Sequence, residues 1–151
     1  MGMFSAINAS ASALTAQRLR MDVVSSNLAN AESTRATQNE NGGWEPYRRK
    51  TVTFQPNGQS FQSNLQHAMG SSATPAEGVR VSQINEDQEP FQMMFNPNHP
   101  DANEEGYVAM PNVNPLKEMV DLMSATRSYE ANVTALNASK GMMMKALEIG
   151  K

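Results

Sequence analysis

Large apolar side chains return every seven residues near the start of the chain, at Ile7, Leu14, Met21 and Leu28. Phe4 and Ala11 stand at the partner positions, then Arg18 interrupts, with Val24 nearby. A seven-residue apolar repeat without Pro or Gly predicts a helix with a narrow, coiled-coil-like seam over residues 3 to about 31. Between the large residues lie Ala9, Ser10, Ser12, Ala13 and Ala16, small enough for a neighbouring helix to approach closely. The repeat comes back at the other end. Leu122, Tyr129, Leu136 and Met143 form one column; Met119, Thr126, Val133, Lys140 and Leu147 form a second, flawed by Thr126 and Lys140. Polar residues in a seam cost stability but fix register and partner number. Asn114-Pro115 marks the start of this helix, because Asn is a favoured N-cap and Pro suits the first helical position. No proline follows, and a helix from 115 to about 149 runs roughly 50 Å at ~1.5 Å per residue. Glu118 and Asp121 near its start and Lys145 near its end suit the helix dipole.

The stretch between is different in kind. It holds every proline except Pro115, and turn signals are dense: Asn41-Gly42-Gly43, Pro56-Asn57-Gly58, Asn96-Pro97-Asn98. Tyr47 to Phe54 (YRRKTVTF) and Gly78 to Ile84 (GVRVSQI) carry the β-branched and aromatic residues of strands, and 57–77 reads as a loop. Too few strands are visible for a barrel or sandwich. The chain divides into an N-terminal assembly helix (1–34), a loop and short-strand middle (35–113) and a long C-terminal assembly helix (114–151). The fold class expected is mainly α: two long terminal helices paired in a coiled-coil-like layer, with a small β-rich insert.

Composition sharpens the reading. Of 151 residues only 39% are hydrophobic and 6% aromatic, low for a chain that must bury a full core alone. A two-helix hairpin buries one seam per helix. Met142, Met143 and Met144 cannot all face one seam, nor can Met119, Val120, Leu122 and Met123. The surplus points to further neighbours, and the terminal helices are expected to order on assembly. A net charge of -3 makes no general case for nucleic acid or membrane binding. With no cysteine, disulfides, thiolate metal sites and thiol nucleophiles are excluded. No apolar run approaches the ~18 residues of a membrane span, and the N-terminus does not read as a cleaved leader.

Catalytic chemistry is hard to find. No Gly-x-Ser-x-Gly, HExxH or P-loop occurs. His99, beside Asp101, Glu104 and Glu105, lacks the ligand spacing of a calcium loop and reads as a solvated turn. Adjacent Glu86 and Asp87 point apart on a strand, so they make no acid/base pair. No catalytic, cofactor or metal residues are assigned. Arg48-Arg49-Lys50 forms a short basic cluster, and residues 77–105 hold seven acids against one base, Arg80. These are either two solvated faces or complementary patches that steer subunits together. The segment Ser25-Ser26-Asn27-Leu28-Ala29-Asn30-Ala31 is likewise open: a frayed helix end, or a small-residue surface against which other helices crowd.

Four blocks, SALTAQRLRMDVVSSNLANAEST (12–34), YRRKTVTF (47–54), NPNHPDANEEGYVAMPNVNP (96–115) and EMVDLMSATRSYEANVTALNASKGMMMKALEIG (118–150), closely resemble the bacterial flagellar axial proteins of rod and hook. SSNLANA followed by Thr34 is shared broadly; the last two blocks are similar to the proximal-rod members. Met142 to Met144 depart from the pattern. The resemblance implies a structural, non-enzymatic rod subunit in the basal body, within the periplasm. It implies export through the flagellar type III apparatus, and polymerisation with copies of itself and other rod proteins into a torque-transmitting shaft. No nucleic acid, small-molecule substrate, cofactor or membrane insertion is expected. Subunit packing is assigned to Phe4, Ile7, Leu14, Met21, Leu28, Met119, Leu122, Tyr129, Val133, Leu136, Met143 and Leu147. Polar contacts between subunits are assigned to Ser26, Asn27, Asn30, Arg48, Arg49 and Lys50. The alternatives are another axial protein of rod or hook, or a coiled-coil adaptor or export chaperone, which calls for a helical middle.

Overall fold

The computed structural model describes residues 3–39, 42–57, 65, 69 and 78–149, without the side chains of Met3 and Phe4. Phe4 as a packing residue, His67 and most of the loop expected over 57–77 lie outside the described residues. The chain runs α1 (Met3–Ala29), β1 (Thr37–Gln38), β2 (Trp44–Glu45), β3 (Lys50–Pro56), β4 (Val79–Glu86), β5 (Gln92–Phe95), β6 (Tyr107–Met110) and α2 (Pro115–Ile149). Among the described residues the strands form three separate pairs, β1 with β2, β3 with β4 and β5 with β6. The fold is therefore mixed rather than mainly α. The described part of the middle satisfies backbone polar groups largely in short strand ladders.

The start of α2 is set by its own residues. Asn114 caps α2: its Oδ1 accepts from the backbone N–H of Leu116 and Lys117 at 3.1 and 3.2 Å, and its carbonyl accepts from Glu118 N–H at 3.0 Å. Pro115 follows, where a missing N–H costs nothing. The column Leu122, Tyr129, Leu136 and Met143 is half-buried. Its covered companions are Glu118, Ala125, Asn132 and Ser139, one residue away from the expected second column, where only Val133 is partly covered. The inward face of α2 is thus narrower and more polar than apolar spacing implies, because small side chains rather than large ones allow close approach.

Two compact units make up the chain: Met1–Leu19, Thr53–Gln83 and Ser124–Lys151 in the first, Arg20–Val52 and Ile84–Met123 in the second. In the second, Val23, Val24, Tyr47, Val108 and Val113 are buried. Its β5–β6 pair is antiparallel, with Met93 opposite Ala109 and Phe95 opposite Tyr107, whose rings meet edge-on at 5.3 Å. In the first unit, the buried apolar residues among those described are alanines, Ala16 and Ala125. There Ser12 Oγ donates to Ala9 O at 2.7 Å and accepts from Val79 N–H at 3.0 Å. Gly78, at φ +96°, passes so close that a Cβ would lie 2.3 Å from that oxygen.

Candidate functional site

Within the second unit, two asparagines hold the entry to β3. Asn27, on the last turns of α1, is fully buried. Its Nδ2 donates to Lys50 O at 2.8 Å and to Glu118 Oε2 at 2.9 Å. Its Oδ1 accepts from Lys50 N–H at 2.9 Å and from the Tyr47 hydroxyl at 3.0 Å. Two donors and two acceptor lone pairs are all an amide side chain has, so Asn27 is saturated. It treats Lys50 as a neighbouring strand would. Asn112 does the same one residue earlier: its Oδ1 accepts from Arg49 N–H at 2.8 Å, and its Nδ2 donates to the carbonyls of Asp87 and Glu89.

Arg49 and Glu118 complete this junction. The Glu118 side chain is fully buried, and its Oε1 accepts from Arg49 Nε at 2.7 Å. Arg49 also reaches Asp87 at 3.2 Å and Asp121 at 3.7 Å, and Asp121 takes Arg20 at 2.9 Å. Burial pulls the Arg49 guanidinium down, but hydrogen bonds and charge from Glu118 and Asp87 outweigh it, and its pKa is raised. Asp87 is held below the usual carboxylate range, first by the Glu89 N–H and, against the opposing pull of burial, by Arg49. A buried pair is costly to break, because the surviving charge is left without a partner. The junction ties the end of α1 and the start of α2 to the β3–β4 pair without catalytic geometry: its donors and acceptors answer one another. Among the described residues, no three His, Cys, Asp or Glu gather to hold a metal.

A second cluster fastens the turn before β6. Asp101 accepts from Arg35 Nε at 2.6 Å and from the Thr34 hydroxyl at 2.8 Å, and these hold its carboxyl below the usual range. His99 belongs to the same turn, with Nδ1 accepting from Asp101 N–H.

The residues assigned from sequence fall into three groups. Ile7, Leu14, Met21, Leu28, Leu122, Tyr129, Val133, Leu136 and Met143 are half-buried, whereas Met119 and Leu147 are exposed. Within the chain, Asn27 uses all of its amide donors and acceptors, and Arg49 pairs with Glu118, Asp87 and Asp121. Asn30 donates to Ser26 O at 2.9 Å and accepts from the Ser33 hydroxyl, closing the helix end. Ser26 is exposed, with its hydroxyl 3.5 Å from that of Tyr47. The Arg48 guanidinium stacks 4.3 Å from the Phe91 ring, and the Lys50 ammonium lies 5.7 Å from that of Tyr47. From sequence, Asn112 and Tyr47 carry no assigned role, and Glu118 reads only as a charge suited to the helix dipole. For Asn112 and Glu118 the one signal is polarity near the start of α2, which capping and the helix dipole also explain.

What the chain leaves uncovered is as informative. Leu116, Met119, Val120 and Met123 recur at helical spacing over the first turns of α2, and all are exposed, Leu116 at 68%. Met142, Met144, Leu147 and Ile149 are exposed toward its end. The two regions that carry these helices match known families. A family described as "Flagella basal body rod protein" matches residues 7–37, and one described as "Flagellar basal body rod FlgEFG protein C-terminal" matches 104–149. Over full length the chain is 64% identical to the flagellar basal-body rod protein FlgC of Bacillus subtilis, covering all of both chains. It is 42% identical to FlgC of Borreliella burgdorferi, over 99% of this chain and 98% of that one, and 38% identical to FlgC of Salmonella typhimurium over all of both. A saturated polar junction, two long helices with uncovered apolar faces and these full-length similarities agree: the chain belongs to the FlgC family of flagellar basal-body rod proteins, and is a structural, non-enzymatic subunit of the rod.

Proposed function

We propose that this subunit polymerises through its two terminal helices, with copies of itself and with other flagellar rod proteins, into the shaft that carries torque across the periplasm. The helices pair in a coiled-coil-like layer, fastened at one end by Asn27 to Glu118 and Arg20 to Asp121. The observation that carries this reading is the exposed stripe Leu116, Met119, Val120 and Met123. Covering apolar area is worth about 25 cal/mol per Å², and an exposed stripe at helical spacing is a partner-binding face. The family resemblance adds travel through the flagellar export apparatus as an unfolded chain. An interior lined by Ala16 and Ala125 suits that journey, since small side chains hold a structure weakly.

The test replaces Met119 and Val120 together by Glu in a strain that lacks the native chain. Both side chains point outward, so the fold is expected to survive. Basal bodies are expected to lack a complete rod, and the cells to be non-motile. Normal motility, with the variant present in isolated basal bodies, would contradict the reading.

A further inference from the structure

Each helix carries an exposed stripe with alternating spacings of four and three residues. On α1 it is Ala11, Thr15, Arg18, Asp22, Ser25 and Ala29. On α2 it is Leu116, Val120, Met123, Arg127, Glu130 and Thr134. Spacings that alternate this way keep residues on one seam of a coiled coil. Arg18, Asp22, Arg127 and Glu130 make no ion pair among the described residues.

From these stripes we infer that α1 of one copy docks antiparallel on α2 of a second copy, in a single register. That register sets Ala29 beside Val120, Ser25 beside Met123, Asp22 beside Arg127, Arg18 beside Glu130 and Thr15 beside Thr134. Small side chains of α1 receive large ones of α2, and both charge pairs are of opposite sign. Other registers fail. A slip of one heptad in one direction sets Arg18 on Met123 and Asp22 on Val120, which desolvates charge against apolar surface. A slip the other way sets Asp22 on Thr134 and Arg18 on Asn137, with neither charge paired. A parallel arrangement matches four-residue steps to four-residue steps, so Arg18 beside Glu130 leaves Asp22 on Thr134, and Asp22 beside Arg127 sets Arg18 on Met123; neither keeps both charge pairs.

Both stripes are exposed within one chain and both halves of the charge match lie on the same sequence, so the complementary partner is a second copy. The contact joins two different surfaces, so each copy still offers one free surface of each kind. Such a heterologous contact extends into a helical array or a ring rather than ending at a symmetric pair. This deepens the proposed rod role and rests on it.

The chain has no native cysteine, so engineered ones report cleanly. Ser25→Cys and Met123→Cys are made as separate single variants, and basal bodies are isolated from cells producing one or both. Disulfide-linked dimers are expected only when both variants are present. Dimers from either variant alone, or none at all in intact basal bodies, overturn the register and leave the rod role standing. Absence of the native chain from basal bodies overturns the rod role itself. A photoreactive residue at position 25 is expected to capture another copy of this chain; capture of a different rod component overturns the choice of partner. Charge reversal gives an independent reading should the cysteines block assembly. Asp22→Arg and Arg127→Asp are each expected to lower the motile fraction by about tenfold, and the double variant to return it to within about twofold of normal. A double variant no better than the worse single overturns the pairing.

Discussion

The two compact units solve the problem of staying folded in opposite ways. The second unit, which holds Asn27, Arg49 and Glu118, buries valines and Tyr47 around a polar junction whose members are satisfied by one another. The first unit, among its described residues, buries only alanines and relies on one tight passage, Ser12 against Gly78 and Val79. It also carries the exposed Met142, Met144, Leu147 and Ile149. Specific polar locks let a small region hold its shape alone. Small side chains and bare apolar faces instead leave stability to be supplied by neighbours.

Substitutions should separate the two. The largest effect is expected in the second unit from Asn27→Leu. It removes four hydrogen bonds, strands the Lys50 backbone and takes one partner from a buried carboxylate, so a loss of about 3–5 kcal/mol is expected in urea unfolding. A loss below about 1 kcal/mol would mean the junction does not organise this unit. Gly78→Ala comes next, in the first unit. At φ +96°, with Ser12 Oγ 2.3 Å from the new Cβ, about 1–3 kcal/mol of strain is expected. It should appear as faster hydrogen exchange in β4 near Val79, with the Asn27 junction unchanged.

The smallest effect is acid. Asp87 and Asp101 both have pKa values below their ordinary 3.8 in the folded chain. The unfolded chain therefore takes up protons first. Their contribution is complete above pH 3.8 and fades as pH falls from there through the depressed folded values. Stability should be flat with respect to these two groups between pH 5 and 8 and decline only below that window. Asp101→Asn should soften the decline. Because the Arg35–Asp101 pair is partly open to solvent, added salt should weaken its share.

The same contrast explains what could be read beforehand. Asn114-Pro115 announces α2 because capping is local chemistry, and YRRKTVTF announces β3 because β-branched residues at short range suffice. The β5–β6 pair escaped notice. Met93 and Met94 do not alternate with polar residues, and the stretch joining the two strands is too long to signal a hairpin. Asn27 and Glu118 are 91 residues apart, and no local pattern links them. Within the chain the most covered positions of α2 are Glu118 and Ala125 rather than large apolar residues, because close helix approach favours small or hydrogen-bonded groups over bulk. Ala11 and Arg18 read from sequence as partner positions of a seam; their exposure puts them in line with Thr15, Asp22, Ser25 and Ala29.

Hydrogen exchange on the dilute chain and on isolated basal bodies tests the account most directly. Amides at Arg49, Lys50 and Glu118 should be protected in both, whereas those from Met142 to Ile149 should exchange quickly in the dilute chain and slow down only in the assembled rod. Equal, strong protection of 142–149 in the free chain would contradict the claim that this end of α2 depends on its neighbours.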